Sequence, residues 1–279
     1  MKIGAHLWIS EGIENMFKIA RYLKCDCIQI FLHNPRRWSF PSKSNNKNIM
    51  LKKCLEKEKI SPFVIHMRYL LNLSSPEKEV SYHSLKILEK EIEESEEIGA
   101  DYYVIHPGSH KGAGKVIGLK NLVENLKCIK NKKTKILIEN TSGQKNSIGS
   151  KWEEFSYLLE KIGDKIGFCF DTAHAFESGY NIREKEKLEE MLEEIDKNLS
   201  LRYILLIHAN DSGTKCGSKI DRHQHIGKGF LGEKTFELLI KNEYLGKLPF
   251  IIETPYTNLE SDKTNLEILR EIGKKYGKI

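Results

Sequence analysis

Eight short, β-rich apolar runs recur along the chain, and most are followed by a longer amphipathic stretch. The runs are KIGAH (2–6), CIQIFL (27–32), FVIHM (63–67), YYVIHP (102–107), KILIEN (135–140), IGFCFDTAH (166–174), YILLIHAN (203–210) and PFIIETP (249–255). Between them, apolar residues return every three or four positions over 11–24, 76–98, 119–130, 151–162, 183–198 and 264–276, the spacing of one buried helix face. Ser75-Pro76-Glu77 and Gly149-Ser150 supply start signals for two of these helices. Strands that are apolar on both faces need cover on both, so this alternation predicts a parallel sheet wrapped by helices. Eight βα units favour closure into a (β/α)8 TIM barrel over an open doubly wound sheet, and no GxGxxG follows the first run. Such a barrel uses roughly 250 residues for one domain. With 279 residues and no low-complexity linker, a single α/β domain over 1–279 is expected.

A barrel of this kind builds its active site at the C-terminal ends of its strands, and there the apolar runs turn polar. His66, His106, Glu139, Asp171, His208 and Glu253 stand at or near the ends of runs three to eight, one on each. A lone histidine in such a place is as often a hydrogen-bonded structural residue as a ligand. Six residues of metal-ligand type on six consecutive runs are harder to explain separately. Crowded carboxylates repel one another and lose hydration, and a cation is the simplest compensation. Mixed imidazole and carboxylate donors suit zinc, with manganese or iron as alternatives. Asp221 and His223 lie two apart in DRHQH (221–225), so in extended backbone they point the same way and can grip one ion together. His174, three residues after Asp171, could complete that grip. His225 shares the parity of His223, and spacing does not separate the two.

The formal charge of +6 suits a polyanionic partner, because cations that neutralise phosphates release counterions. The lysine clusters at 43–47 and 131–134 read on their own as solvated loops. Lys2, His6 and Glu11 break the apolar start before it could act as a cleavable signal, and no run is long enough to span a bilayer. The six cysteines form no CxxC pair and no disulfide spacing. They are expected to be reduced, mostly buried thiols, Cys25 and Cys27 included, in a cytoplasmic, nucleoid or nuclear compartment.

HPGSH (106–110), IENTSGQ (138–144), FDTAHAFESGY (170–180), HANDS (208–212), DRHQHIGKG (221–229) and IIETP (251–255), in this order and at these intervals, resemble the endonuclease IV family of apurinic/apyrimidinic (AP) endonucleases. GAH (4–6) and HMRYLLNL (66–73) are similar to further motifs of that family, so the resemblance spans essentially the whole chain. It implies a zinc-dependent DNA-repair hydrolase of the phage-T4-type deoxyribonuclease IV class. Such an enzyme acts in base excision repair, cutting duplex DNA 5′ to an abasic site and leaving a 3′-hydroxyl and a 5′-deoxyribose phosphate. Three Zn2+ are implied, with Mn2+ as an alternative at one or more sites. One would be held by His66, His106 and Glu139; a second would share Glu139 and add Asp171, His208 and Glu253. The third would take His174, Asp221 and His223, so the resemblance favours His223 over His225. Glu139, Glu253 and His106 would be catalytic.

Recognition of a nucleotide without a base must exploit the missing stack. The resemblance assigns this to Arg37 in HNPRRW, as a wedge, and to Tyr69 and Leu70, which would stack and fill. Ser109 and His110 would support His106 or touch phosphate, and Lys111 would add charge nearby. A monomer acting on double-stranded DNA, with no membrane partner, is implied. Lys145, Lys228, Met67 and Arg68 depart from the family pattern without removing a ligand. Their effect is expected in the DNA-binding loops, where added charge would strengthen phosphate contact. Two rivals remain. A sugar isomerase or epimerase of the related xylose-isomerase-like barrels leaves Asp221 and His223 without work. A damage sensor that does not cut would lack a ligand, yet all nine positions are filled.

Overall fold

Every apolar run becomes one strand of a closed, all-parallel barrel. The strands are β1 (Lys2–Leu7), β2 (Cys27–Ile30), β3 (Phe63–His66), β4 (Tyr102–Ile105), β5 (Lys135–Glu139), β6 (Ile166–Asp171), β7 (Ile204–His208) and β8 (Pro249–Ile252). β8 lies beside β1 and closes the ring. The helices are α1 (Ile13–Tyr22), α2 (Asn45–Glu58), α3 (Lys78–Ile98), α4 (Lys115–Cys128), α5 (Trp152–Ile162), α6 (Thr172–Glu177), α7 (Lys185–Leu199), α8 (Glu233–Lys241) and α9 (Leu259–Lys275). The computed structural model describes residues 1–39, 45–130 and 133–279.

Two apolar layers hold the barrel. Inside it, Cys27, Val64, Val104, Leu137, Cys169, Leu206 and Ile251 form one buried cluster, one residue from each of β2 to β8. On β1 the matching position is Gly4, in register with both Cys27 and Ile251. A Cβ there would stand 1.7 Å from the Cys27 carbonyl oxygen, so only glycine lets β1 and β2 approach. Between strands and helices lies the larger layer, with Phe17, Phe63, Phe155, Phe168 and Phe236 among its fully buried side chains. Each such side chain contributes about 1.5–3 kcal/mol relative to exposure.

Two sequence expectations change. The run 166–174 does not stay extended to His174: the Asp171 carboxylate accepts from the His174 N–H at 2.7 Å and caps α6. Of the lysine cluster at 43–47, Lys43 and Ser44 lie outside the described residues, while Lys47 belongs to α2 and is no solvated loop residue. Its ammonium donates to the Leu32 carbonyl at 2.6 Å. In the cluster at 131–134, Asn131 and Lys132 lie outside the described residues, and Lys133 is exposed between α4 and β5, as expected; Thr134 beside it is buried, its hydroxyl donating to the Ala100 carbonyl at 2.8 Å. The cysteines are free thiols, and burial pushes those of Cys25 and Cys169 up to about 12.

Candidate metal centre at the barrel mouth

Side chains two apart on a strand share a face. Two residues beyond the inner layer stand His6, Gln29, His66, His106, Glu139, Asp171, His208 and Glu253, one for each strand. The polar ring at the mouth is thus the next step of the alternation that built the apolar layer. Six of its members are the strand-end residues expected from sequence, and His6 and Gln29 complete it. The same parity, counted along the first two runs, would have found both.

Donor atoms within 4.8 Å of one another form three groups: His66, His106 and Glu139; Glu139, Asp171, His208 and Glu253; and Asp171, His174 and His223. Glu139 is fully buried and joins the first two. Its Oε2 lies 3.0 Å from His106 Nε2 and 3.3 Å from His66 Nε2, and its Oε1 lies 3.0 Å from His208 Nδ1. Asp171 joins the second and third. Asp221 stands at the edge of the third, its Oδ1 3.3 Å from His174 Nε2 and 3.8 Å from His223 Nε2. His225 turns the other way, its Nδ1 3.0 Å from the Asn265 amide on α9.

Other contacts fix which nitrogen each imidazole presents. Nδ1 faces the Met67 carbonyl at 2.8 Å in His66, that of Asn140 at 2.9 Å in His174, and that of Glu253 at 3.2 Å in His223. In His208 it is Nε2 that faces the Gln29 side-chain oxygen, at 2.9 Å. These oxygens only accept, so each of those nitrogens carries the proton and the other turns a lone pair into the cluster. The Nε2 atoms of His174 and His223 are buried and have no hydrogen-bond partner among the described residues. A buried lone pair left alone is costly, and a cation is the partner this donor set fits. Burial opposes ionisation of Glu139, but His208 and His106 beside it overcome that and hold its carboxyl well below the usual range. Glu253 and Asp221 are held low against burial chiefly by His208 and His174 respectively. The carboxylates of the site are therefore held ionised, the form in which they can serve as donors to a cation.

Asparagines from the sequence motifs brace the ligands. Asn140 accepts from the Asp171 N–H at 2.7 Å, and Asn210 donates to Asp171 Oδ2 and accepts from the Glu253 N–H, both at 2.7 Å. Asp171 and His208 are direct neighbours across β6 and β7. Asp221 and His223 come instead from the long β7–α8 connection, where Asp211–Ser212 pairs antiparallel with His223–Gln224. The buried Asp211 carboxylate anchors that connection by accepting from the N–H groups of Ser212, Gly227, Gly229, Leu231 and Gly232.

A cavity of about 470 Å³ opens over the clusters, walled by His6, Trp8, Phe31, Tyr69, Glu253 and Tyr256. A second of about 470 Å³ meets it at Tyr69, His106, His174 and Asp221 and extends to Leu70, Trp38, Ser109 and Lys111. Tyr69 is 58% exposed and packs edge-on against Phe31 at 5.0 Å; Leu70 is half-buried beside it. Partial desolvation against the cavity wall, together with the Glu253, Asp221 and Glu139 carboxylates, pushes the Tyr69 phenol up, and Arg36 is the cation that opposes this. Arg37, the expected wedge, is exposed on the β2–α2 loop, and two further exposed side chains not expected from sequence join it, Arg36 on the same loop and the half-exposed Trp8 at the cavity wall. The doubled arginine of HNPRRW was the available signal. His110 does not support His106 directly; its Nδ1 accepts from the Gly112 and Gly114 N–H groups and shapes its own turn. Lys145 and Lys228 are exposed, whereas Met67 and Arg68 are buried and offer no surface to phosphate.

Residues 17–272 match the model of a family described as xylose isomerase-like TIM barrel. A probable endonuclease 4 of Aquifex aeolicus is 38% identical over 275 residues, covering 96% of each chain. One of Halothermothrix orenii is 37% identical over 277 residues, covering 97% of this chain and 99% of that one. The crystal structure of endonuclease IV from Thermus thermophilus superposes with a TM-score of 0.87 at 28% identity, over 99% of this chain and 100% of that one.

Proposed function

As this chain belongs to the endonuclease IV family of hydrolytic nucleases, we propose that it is a zinc-dependent AP endonuclease of base excision repair. It cuts duplex DNA 5′ to abasic sites and leaves a 3′-hydroxyl and a 5′-deoxyribose phosphate. The observation that carries this reading is the third donor group, in which two buried imidazole nitrogens face Asp171 and Asp221 without a hydrogen-bond partner among the described residues. An isomerase working with one or two ions leaves that group idle, and a non-cutting sensor leaves all nine donors unexplained.

Three zinc ions would be held by His66, His106 and Glu139; by Glu139, Asp171, His208 and Glu253; and by His174, Asp221 and His223, with manganese as an alternative occupant. Ions in such clusters supply Lewis acidity toward a phosphodiester and lower the pKa of water. The chain's own part is orientation. Glu139 spans two groups and sets their separation, Glu253 and His106 face the cavities, and no serine or cysteine nucleophile is needed. Tyr69 and Leu70 would occupy the space left by the missing base, with Arg37 reaching the minor groove and Arg36 adding charge beside Tyr69. All donors come from one chain, which suits a monomer. Free thiols suit a reducing cytoplasm, nucleoid or nucleus, and no described helix is long and apolar enough to cross a membrane.

The test is a duplex carrying one tetrahydrofuran abasic analogue, which cannot undergo β-elimination, beside an undamaged duplex. A single cut 5′ to the analogue with a 3′-hydroxyl end supports the reading. Ketose–aldose interconversion by a zinc-loaded protein that leaves this duplex whole would replace it with the isomerase.

A further inference from the structure

We infer that Arg68 is a positioning residue that sets the loop carrying Arg37 for contact with DNA, an inference that rests on the reading of that loop given above. Arg68 is 1% exposed, as is its partner Glu91 on α3, and its Nε donates to Glu91 Oε1 at 2.6 Å. The other Glu91 oxygen accepts from the Tyr103 hydroxyl on β4. The rest of the guanidinium fork reaches across to the β2–α2 loop, where Nη1 donates to the Arg37 carbonyl at 2.7 Å and to that of Ser39 at 3.2 Å.

These contacts fix the backbone of Arg37 on both sides. Its N–H donates to the Asn34 carbonyl at 3.2 Å, and its own carbonyl is held by Arg68. The side chain alone is left outward, exposed. The same loop is tied further back, where His33 meets Glu94 at 2.6 Å and Lys47 donates to the Leu32 carbonyl at 2.6 Å. Glu91 and Glu94 stand nearly one turn apart on α3, so one helix serves both ties.

Stability alone is a poor reason for such a pair. Removing two charges from water is costly, and well-packed apolar replacements are often neutral or better. Geometry is a better reason, because a guanidinium can satisfy a carboxylate and two carbonyls at once in a fixed plane, and an ammonium cannot. Arg68 also lies two residues after His66, so β3 delivers a metal ligand and the strap for the DNA loop from one strand end.

The experiment is a mutant cycle on the full zinc-loaded chain. The set is the apolar triple variant Arg68→Met/Glu91→Leu/Tyr103→Phe, Arg37→Ala, and the two combined. Readouts are Tm, kcat and KM on the tetrahydrofuran duplex, and Kd for the same duplex with a non-hydrolysable linkage at the cut position. The triple variant leaves no buried charge alone, so Tm and kcat should hold while KM and Kd rise about tenfold. Added to Arg37→Ala it should cost less than about twofold, since the two act through one contact. Full additivity on both backgrounds, or an unchanged KM, overturns the assignment. Arg68→Lys, which keeps charge and loses the fork, decides the matter if the triple variant does not fold: KM rises with Tm unchanged, or the inference fails. A wild-type protein that does not cut overturns the endonuclease reading instead, and the Kd cycle still decides for or against Arg68.

Discussion

Glu139 has four imidazoles within 3.4 Å: His66, His106, His174 and His208. Glu139→Gln removes the negative charge shared by two donor groups and replaces one of its two donor oxygens with an amide nitrogen that has no lone pair for a cation. Single-turnover incision should fall by more than the roughly 10–100-fold typical of outer ligand supports, with circular dichroism unchanged. Full activity would sink the bridging role. Gln29 tests the supporting contacts: its amide holds His208 Nε2 and also donates to Glu253 Oε1 at 2.5 Å. Gln29→Leu should weaken zinc affinity about 10–100-fold in a chelator competition, and unchanged affinity would count against the support. The strand-end ligands were readable because each interrupts an apolar run with a donor. Gln29 was harder to read, since a single amide inside CIQIFL announces nothing until parity places it beside the other seven members of the ring.

At the scale of elements, β6 and α6 show what periodicity misses. Phe170 and Ala173 keep the run apolar through FDTAH, yet Asp171 caps the N–H of His174 and turns the chain into a helix. The local hydrogen bond outweighed the pattern, and it swings His174 back toward Asp171. Capping by Asn258 likewise starts α9 earlier than its apolar repeat suggested. Within the first turns of α9, burial pushes the Asp262 carboxyl up to about 6, with the Thr254 hydroxyl opposing. Its folded value lies above the unfolded one near 3.8, so its contribution is full below that value and is lost as pH rises through about 6. Asp262→Asn removes that dependence. The variant should gain on wild type by on the order of 1 kcal/mol between pH 5 and pH 8 in urea denaturation, and equal differences at both pH values would contradict it.

For the whole molecule, the barrel was legible because eight apolar runs are interleaved, without a linker, with six stretches whose apolar residues return every three or four positions. The metal clusters were legible because a barrel gathers strand ends that are far apart in sequence. The Arg68 strap was not, since nothing local marks an arginine for burial against a glutamate on the next helix and two carbonyls on another loop. With a net charge of +6, affinity for duplex DNA should fall steeply with salt, and Arg37→Ala should reduce the slope of log K against log salt by about 0.9 if that side chain meets a phosphate. An unchanged slope would remove Arg37 from the backbone contacts. The role of the metal clusters in cutting is tested most directly by incision of the tetrahydrofuran duplex measured against bound zinc per chain, from chelator-stripped to fully loaded protein. Stripped protein should not cut, and a single 5′ cut should grow as occupancy approaches three. Cutting by stripped protein, or an intact duplex at full occupancy, would contradict that role.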